Sequence, residues 1–422
     1  MNTLGFLKQT GFFRLIYKLK FLVRTYHFLW AFFSALIYFF PSRKILVIGV
    51  TGTKGKTTVM EILKSILDKA QEKTAFLSSL YVKIGNDQEK NLTENTMPGR
   101  MFIQRFLNRA VNSGCRYAVI EVTSEGVVLS RHRFIRWQAG LLTNLAPEHI
   151  EAHGSFEKYR QAKLNFFKKV FKQGGKLFFN QDDQSADFFK NQFNREKINF
   201  YSKRDLKKYF LTIDNNLYLF SSNFNQENLS AAISLAKLVG VKDEVIKEAV
   251  LEFKGVAGRM EIIKEKPFKV VIDYAHTPES LRRVYDNLQN ANGKEQRGRL
   301  ICVLGAAGGG RDKWKRPVMG KIAAEFCDEI ILTNEDPYNE KPQNILDELK
   351  EGVLQIANSK SREVLEILDR KEAIRKAIGL AKEGDMVVIT GKGSEEFIHI
   401  ENGKKLPWSE RGAVGEVLKM IE

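Results

Sequence analysis

The chain has 422 residues, 43% of them hydrophobic and 28% charged, with a formal net charge of +17. That length and balance exclude a disordered chain and allow two or three domains with large cores. The sequence has no nucleic-acid-binding module, so the positive excess points to an anionic membrane surface or to phosphorylated ligands.

The first 46 residues carry seven Lys or Arg and no Asp or Glu. Residues 11–23 mix basic and apolar positions, as an interfacial helix does. Thr25–Ser42 is an uncharged stretch of eighteen residues whose most apolar part is Phe28–Phe40. It is borderline for a spanning helix, which needs about 20 apolar residues. A helix on a membrane surface is expected, and packing on the main body or on a second subunit is the alternative. No small-residue cleavage site precedes Pro41, which argues against a secretory signal. Residues 1–43 thus form a basic, apolar segment of their own.

Lys44–Val50 is an apolar run that predicts a buried parallel strand. Gly52–Lys56 is a turn, and Thr57–Lys69 is an amphipathic helix with Val59, Ile62, Leu63, Ile66 and Leu67 on one face. Strands are predicted at Arg116–Val122, Ala139–Leu145 and Lys176–Asn180, with a helix at Ser155–Phe171. Residues 182–225 are polar and alternate weakly, which suggests an antiparallel edge. Helices follow at Asn228–Leu238 and Val245–Phe253. Gly255 and Gly258 interrupt the pattern, so one domain is expected over 44–256 and another over 257–422. In the second, strands at Phe268–Asp273, Leu300–Leu304, Glu329–Thr333, Val364–Ile367 and Met386–Thr390 alternate with helices at Pro278–Leu288, Met319–Phe326, Ile345–Ile356 and Arg370–Ala381. Such alternation means an α/β fold. A P-loop-type central domain with a mostly parallel sheet would precede a C-terminal Rossmann-like domain. Cys115, Cys302 and Cys327 have neither metal-site spacing nor the number for a disulfide framework, and are expected as buried thiols of a cytosolic protein.

Gly49-Val-Thr-Gly52-Thr-Lys-Gly55-Lys56-Thr57-Thr58 is a variant phosphate loop. Its closing Gly55-Lys56-Thr57 meets the usual pattern, whereas its opening glycine falls one residue early. Backbone N–H groups would surround phosphate, Lys56 would reach the β and γ phosphates, and Thr57 would coordinate Mg²⁺. Glu121 closes a strand; Asn144, Glu148, His149, Glu151 and His153 cluster after the next, with Lys163 beyond. A metal site of Glu and His is physically reasonable there. In the second half Asp273–Pro278 follows a strand. Arg311, Lys313, Lys315 and Arg316 crowd around Asp312 after a glycine run, and Thr390–Glu395 repeats the strand–glycine–lysine–acid order. Both suggest anion binding.

Together these stretches resemble the Mur ligase family over roughly residues 41–422. The match is strongest to the ligases that add a diamino acid to UDP-N-acetylmuramoyl-L-alanyl-D-glutamate. It is carried by Gly49–Thr58, Asn95–Pro98, Glu121–Ser124, Thr143–Glu157, Ala162-Lys163, Gly258–Glu261, Asp273–Leu281, Gly309–Met319, Thr333–Glu340 and Gly391–Glu395. The resemblance implies ATP and Mg²⁺ as cofactors and an acyl-phosphate route to the amide. It implies catalytic roles for Lys56, Glu121, His149 and Lys163. ATP contacts would come from Gly52, Thr53, Lys54, Gly55, Lys56, Thr57, Thr58, Asn228, Arg259 and Asp273. Thr57, Glu121, His149 and a carbamylated Lys163 would hold Mg²⁺. Asn95, Thr96, Pro98, Thr123 and Ser124 match muramoyl-peptide contacts. Arg311, Asp312, Arg316, Asp336, Tyr338, Gly391 and Glu395 match the amino-acid site.

The departures are specific. Tyr338 in Glu335-Asp-Pro-Tyr338 stands where diaminopimelate enzymes carry the arginine of Asp-Asn-Pro-Arg, which leaves the diamino acid open. Ser394 and Glu125 replace family histidines, and Lys54 a common asparagine. Only about 45 residues precede the loop strand, too few for the family's UDP-gripping domain. The precursor is therefore expected to be lipid-linked, or its UDP held by another subunit or left unheld. Expected partners are that precursor, an amino acid and an anionic membrane surface; nucleic acid is not among them. The expected location is the cytoplasm, at the inner face of the cell membrane. Ligation or amidation of another kind on a lipid-linked muramoyl peptide, and an ATP-binding surface protein without catalysis, are the competing readings.

Overall fold

The computed structural model describes residues 20–93, 95–148, 150–210, 220, 223–290, 298–310, 312–356 and 364–421. They form two compact units that divide between Phe253 and Lys254.

The first unit is built on an eight-stranded sheet. Its elements are α1 (Lys20–Ile37), β1 (Leu46–Thr51), α2 (Lys56–Lys69), β2 (Thr74–Leu77), β3 (Tyr81–Ile84), β4 (Asp87–Lys90), α3 (Arg100–Asn112), β5 (Tyr117–Glu121), α4 (Ser124–Val128), β6 (Trp137–Leu142), α5 (Phe156–Lys172), β7 (Lys176–Asn180), β8 (Ile198–Tyr201), α6 (Asn223–Leu238) and α7 (Asp243–Glu252). The strand order is β4-β3-β2-β5-β1-β6-β7-β8. The run from β2 to β8 is parallel, and β3 and β4 add an antiparallel margin. Side chains alternate along β1: Ile48 and Val50 enter the core under α2, and Val47 enters the core under α3 and α5. Both faces are therefore covered, as a parallel sheet requires.

Two expectations change here. Among its described residues, the stretch after β7 supplies a parallel strand, β8, and short helical turns in place of the expected antiparallel pairing. Its polarity reflects an edge position, with Phe200 exposed and Ile198 half-buried. Residues 211–219 and 221–222 of that stretch lie outside the described residues. The antiparallel pairing sits at the opposite margin, in β3 and β4. Gly49 is also not a loop residue. It lies inside β1, where a Cβ would stand 2.4 Å from the Phe166 ring and 2.9 Å from Trp137. It is glycine because two aromatic side chains fill its space.

The second unit carries β9 (Glu261–Lys264), β10 (Lys269–Asp273), α8 (Pro278–Asn290), β11 (Leu300–Leu304), α9 (Lys315–Phe326), β12 (Glu329–Leu332), α10 (Pro342–Leu354), β13 (Val364–Glu366), α11 (Arg370–Leu380), β14 (Met386–Thr390), the hairpin β15 (Phe397–His399) and β16 (Lys405–Pro407), and α12 (Glu410–Ile421). The main sheet runs β13-β12-β11-β14-β10-β9, parallel except for β9. Cys302 on β11 and Cys327 after α9 enter the same core and form a disulfide, with Cα atoms 6.1 Å apart. This corrects the expectation of three buried thiols: the fold brings together two cysteines separated by a strand and a helix, within bonding range. Cys115 remains a buried free thiol.

Candidate active site

In the first unit β1 lies between β5 and β6, so the chain leaves the sheet centre toward both sides. Parallel sheets gather ligand-binding loops at the carboxyl ends of strands around such a switch point. The phosphate loop leaves β1 there. Gly52 and Gly55 take φ of 152° and 82°. A Cβ at Gly52 would stand 1.8 Å from Thr143 Oγ1, and one at Gly55 2.3 Å from Asn228 Oδ1. Both positions therefore need glycine, for backbone angle and for space.

Neighbouring side chains hold the loop. The Lys54 N–H donates to Asn144 Oδ1 at 3.0 Å, and Thr53 Oγ1 lies 2.9 Å from Tyr159 Oη. Lys54 Nζ donates to Glu148 Oε1 at 2.8 Å, which gives the unusual lysine a local partner. Lys56 Nζ donates to the carbonyls of Gly52 and Thr53 at 3.1 and 3.0 Å and lies 4.0 Å from Glu121. Thr57 Oγ1 donates to Glu121 Oε2 at 3.4 Å, and the same oxygen accepts the Ser79 N–H at 3.0 Å. Thr58 is buried in the first turn of α2.

Lys163 comes in from α5. It is 2% exposed, and its Nζ donates to the Gly52 carbonyl at 2.8 Å and lies 4.7 Å from the Tyr159 ring centre. Burial, and then the nearby Lys56 charge, hold its amine well below the ordinary lysine range. A neutral amine at this place is the form that reacts with CO₂ to a carbamate.

The residues present fit a nucleotide. The loop has no room for a Cβ at Gly52 or Gly55, and the buried Asn228 Nδ2 has no hydrogen-bond partner within the protein. The Thr57 hydroxyl and Glu121 carboxylate offer the hard oxygens a Mg²⁺ takes. Among the described residues no three His, Cys, Asp or Glu side chains converge on one point. An ion here would draw on the Thr57 hydroxyl, the Glu121 carboxylate and oxygens brought by ligand. His149 lies outside the described residues.

The segment matched to the muramoyl peptide folds beside α4. Thr123 caps that helix by accepting the Gly126 N–H at 3.1 Å, and Ser124 Oγ lies 3.0 Å from His153 Nε2. The Arg131 guanidinium donates to the Met97 carbonyl, and Met97 Sδ fills the space over Gly126. Thr96 and Pro98, either side of Met97, are thus brought to the end of β5. Asn95 is exposed in its own turn, donating from Nδ2 to the Thr93 carbonyl at 2.8 Å.

In the second unit, the loops after β10, β12 and β14 meet. Asp273 accepts the Met260 and Ala275 N–H groups, each at 2.7 Å. The Arg259 guanidinium lies 4.0 Å over the Tyr274 ring. Tyr274 Oη donates to Glu395 at 2.7 Å, and Lys392 Nζ donates to Glu395 and Asp336 at 2.5 and 2.9 Å. Asp336 also accepts the His399 N–H at 2.8 Å. Tyr338 adopts φ 51°, donates its N–H to the His399 carbonyl at 3.1 Å and stacks on the His399 ring at 5.1 Å. Glu335 is buried with Oε2 unpartnered and facing Gly391, where a Cβ would lie 2.4 Å away. Burial pushes its carboxyl up to about 7.

The basic cluster expected to bind anions is largely spent on the protein itself. Arg316 is fully buried and donates to Glu340 and Glu348 at 3.1 and 2.9 Å. Lys313 pairs with Glu340 at 3.0 Å, and Lys315 donates to the His276 carbonyl at 3.1 Å. Glu340 is partly desolvated, yet the bonds from Arg316 and Lys313 hold it down to about 2. The half-buried Asp312 has Oδ1 without a partner. Arg311 lies outside the described residues. Ser79, Tyr159 and His399 were missed from sequence. Tyr159 had a signal, four residues before Lys163 on the same helical face; the other two had none.

Residues 50–242 match the Mur ligase middle domain, and residues 258–393 the Mur ligase glutamate ligase domain. A relative from Aquifex aeolicus (strain VF5), named UDP-N-acetylmuramoyl-L-alanyl-D-glutamate–2,6-diaminopimelate ligase, is 36% identical over 394 residues, covering 90% of this chain and 78% of its own. The chain belongs to the Mur ligase family. A solved structure of a ligase of the same name is 28% identical with a TM-score of 0.57, covering 89% of this Mur ligase and 79% of that chain. Folylpolyglutamate synthase of Mycobacterium tuberculosis, 13% identical, shares the fold at a TM-score of 0.62, over 83% of this Mur ligase and 89% of that chain. This Mur ligase is an ATP-dependent acid–amino-acid ligase of a family that requires Mg²⁺.

Proposed function

We propose that this Mur ligase joins a diamino acid to the D-glutamyl carboxylate of a muramoyl-L-Ala-D-Glu peptidoglycan precursor through an acyl phosphate. The observation that carries the reading is the convergence of Lys56, Thr57, Glu121 and buried Lys163 on one glycine loop.

The D-glutamyl carboxylate oxygen attacks the γ-phosphorus of ATP, and ADP leaves. The amine of the incoming residue then attacks the acyl carbon, phosphate leaves with the electron pair of the acyl C–O bond, and the amine gives up one proton to solvent. Lys56 and the loop N–H groups receive charge that spreads over the phosphoryl oxygens. Thr57 and Glu121, with His149 and carbamylated Lys163, are the residues that would hold Mg²⁺, which supplies further positive charge to those oxygens. Asn228 would accept the base, and the family resemblance assigns nucleotide contacts to Arg259 and Asp273 as well. Asn95, Thr96, Pro98, Thr123 and Ser124 would position the muramoyl peptide. Glu395, Asp336, Tyr338 and Gly391 would receive the amino acid, with Arg311, Asp312 and Arg316 around them. For Arg316 the support is indirect, since it anchors Glu340 and Glu348.

The proposed place of work is the cytoplasmic face of an anionic membrane, on a UDP- or lipid-linked precursor. The basic, apolar N-terminal segment supports it; no helix among the described residues is long and apolar enough to cross a membrane. The test is phosphate release with UDP- and lipid-linked muramoyl dipeptide against a panel of amino acids. Release that requires both the dipeptide and one diamino acid is expected. Nucleotide binding without acceptor-dependent turnover would sink the proposal.

A further inference from the structure

Helix α1 has one covered face and one uncovered face. Ala31, Ser34 and Ala35 are buried against the body of the first unit. Beside them Phe28 and Phe32 meet the Phe134 ring edge-on, at 5.2 and 5.4 Å. On the other side Leu22, Tyr26, Leu29, Trp30, Phe33 and Ile37 recur at steps of three and four, which is one stripe of a helix. From Tyr26 to Ile37 these side chains are each 43–57% exposed, and Phe39, just past the helix, is 82% exposed. Single exposed apolar residues need no explanation, but a continuous stripe of large ones marks a binding surface.

Arginines border the stripe among the described residues. Arg24, Arg43, Arg133 and Arg136 are exposed around it. The Arg133 guanidinium lies 5.2 Å over the Phe28 ring and that of Arg43 4.7 Å over Phe40, while the Arg136 N–H donates to Ser42 Oγ at 3.0 Å. The sequence has no Asp or Glu before Glu61. Aromatic and aliphatic side chains bordered by arginines fit the acyl–headgroup boundary of an anionic bilayer. A second copy fits worse, because a two-fold pairing of this patch would set the arginines against themselves. With its alanine face already packed on protein, α1 is not available to span.

We propose that α1 is an in-plane anchor, which inserts the Tyr26–Ile37 stripe side-on into an anionic lipid surface while its small-residue face stays on the enzyme. This rests on the membrane location given above and is independent of the ligase reading. His27, on the same helix, contacts the Arg100 side chain, two residues past Pro98. The anchor therefore brings the lipid surface close to the segment assigned to the muramoyl peptide.

The test is flotation of the full chain with phosphatidylcholine vesicles, with and without phosphatidylglycerol, at low and high salt. The full chain should float with the anionic vesicles, and less so at high salt. Trp30→Ser/Phe33→Ser should weaken that binding about a hundredfold, with thermal melting and acceptor-dependent phosphate release from the soluble dipeptide unchanged. Failure of the wild-type chain to float, or equal flotation of the double variant, would overturn the anchor and leave the ligase assignment standing. If the wild type is a dimer without vesicles and the double variant a monomer, the stripe pairs copies of the chain and the proposal is equally overturned.

Discussion

The two units place loops at the carboxyl ends of similar parallel strands, yet they treat charge in opposite ways. In the first, Lys56 and Lys163 point at backbone carbonyls of their own loop, and Asn228 keeps a buried amide N–H group unmet. In the second, three buried cations are matched to carboxylates: Lys392 to Asp336 and Glu395, Arg316 to Glu340 and Glu348, and Arg370 to Glu410. A loop lysine that bonds backbone carbonyls, with Glu121 4.0 Å away, can turn to a polyphosphate. A site cross-braced by ion pairs fixes shape, and under the proposed function Glu395 and the Tyr338–His399 stack would face the incoming amino acid.

Breaking the first arrangement should have the largest effect. Lys163→Met keeps the aliphatic stem and removes the amine. Ligation should fall a thousandfold or more, about 4 kcal/mol of barrier, with nucleotide binding retained by titration of a non-hydrolysable analogue. Loss of nucleotide binding to the same extent would mean the lysine only supports the loop. The wild type should also lose activity in CO₂-free buffer and regain it with bicarbonate, as a carbamate requires. Next, Gly55→Val drives a side chain into Asn228. Nucleotide affinity should fall about a hundredfold, or about 2.7 kcal/mol, without a change in the melting of the second unit.

The ion-paired unit should respond in stability first. Lys392→Met leaves buried Asp336 without its cation, beside the part-exposed Glu395, and should cost about 3 kcal/mol. Asp336→Asn in the same chain should recover part of it, as chemical denaturation would show. Unchanged ATP binding in both variants would sharpen the contrast between units. A pH-dependent effect concerns Glu335. Its folded pKa, about 7, lies above the ordinary glutamate value of 4.5. The folded state therefore binds the proton more tightly, and stability falls as pH rises from 4.5 through about 7. Glu335→Gln should gain up to about 3 kcal/mol above pH 7 and nothing below pH 4.5. A gain independent of pH would mean the carboxyl does not titrate in that window.

Much of the architecture was legible because β1, β5, β6, β7, β10, β11, β12 and β14 are apolar runs punctuated by glycine or polar loops. The margin β2–β4 was not: β4 is Asp-Gln-Glu-Lys and fully exposed, so it carries no burial signal. Ser79 reaches Glu121 only because β2 pairs with β5, a register no local pattern encodes. The pairing of Cys302 with Cys327 likewise depends on how β11 and α9 pack. The basic run near Arg316 is braced in a way the sequence does not reveal. Its neutralising acids, Glu340 and Glu348, lie well downstream and meet it only in the fold.

The bonds between the Asp336–Tyr338 loop and His399 have a practical meaning. Asp336 takes the His399 N–H, Tyr338 gives its own N–H to the His399 carbonyl, and the two rings stack. Loop and hairpin are clasped at three points and behave as a cassette. Exchanging Tyr338 alone for a relative's residue would vacate the stack while leaving the clasp that was shaped around it. A transplant of substrate preference between relatives would have to carry Glu335–Tyr338 and Phe397–His399 together.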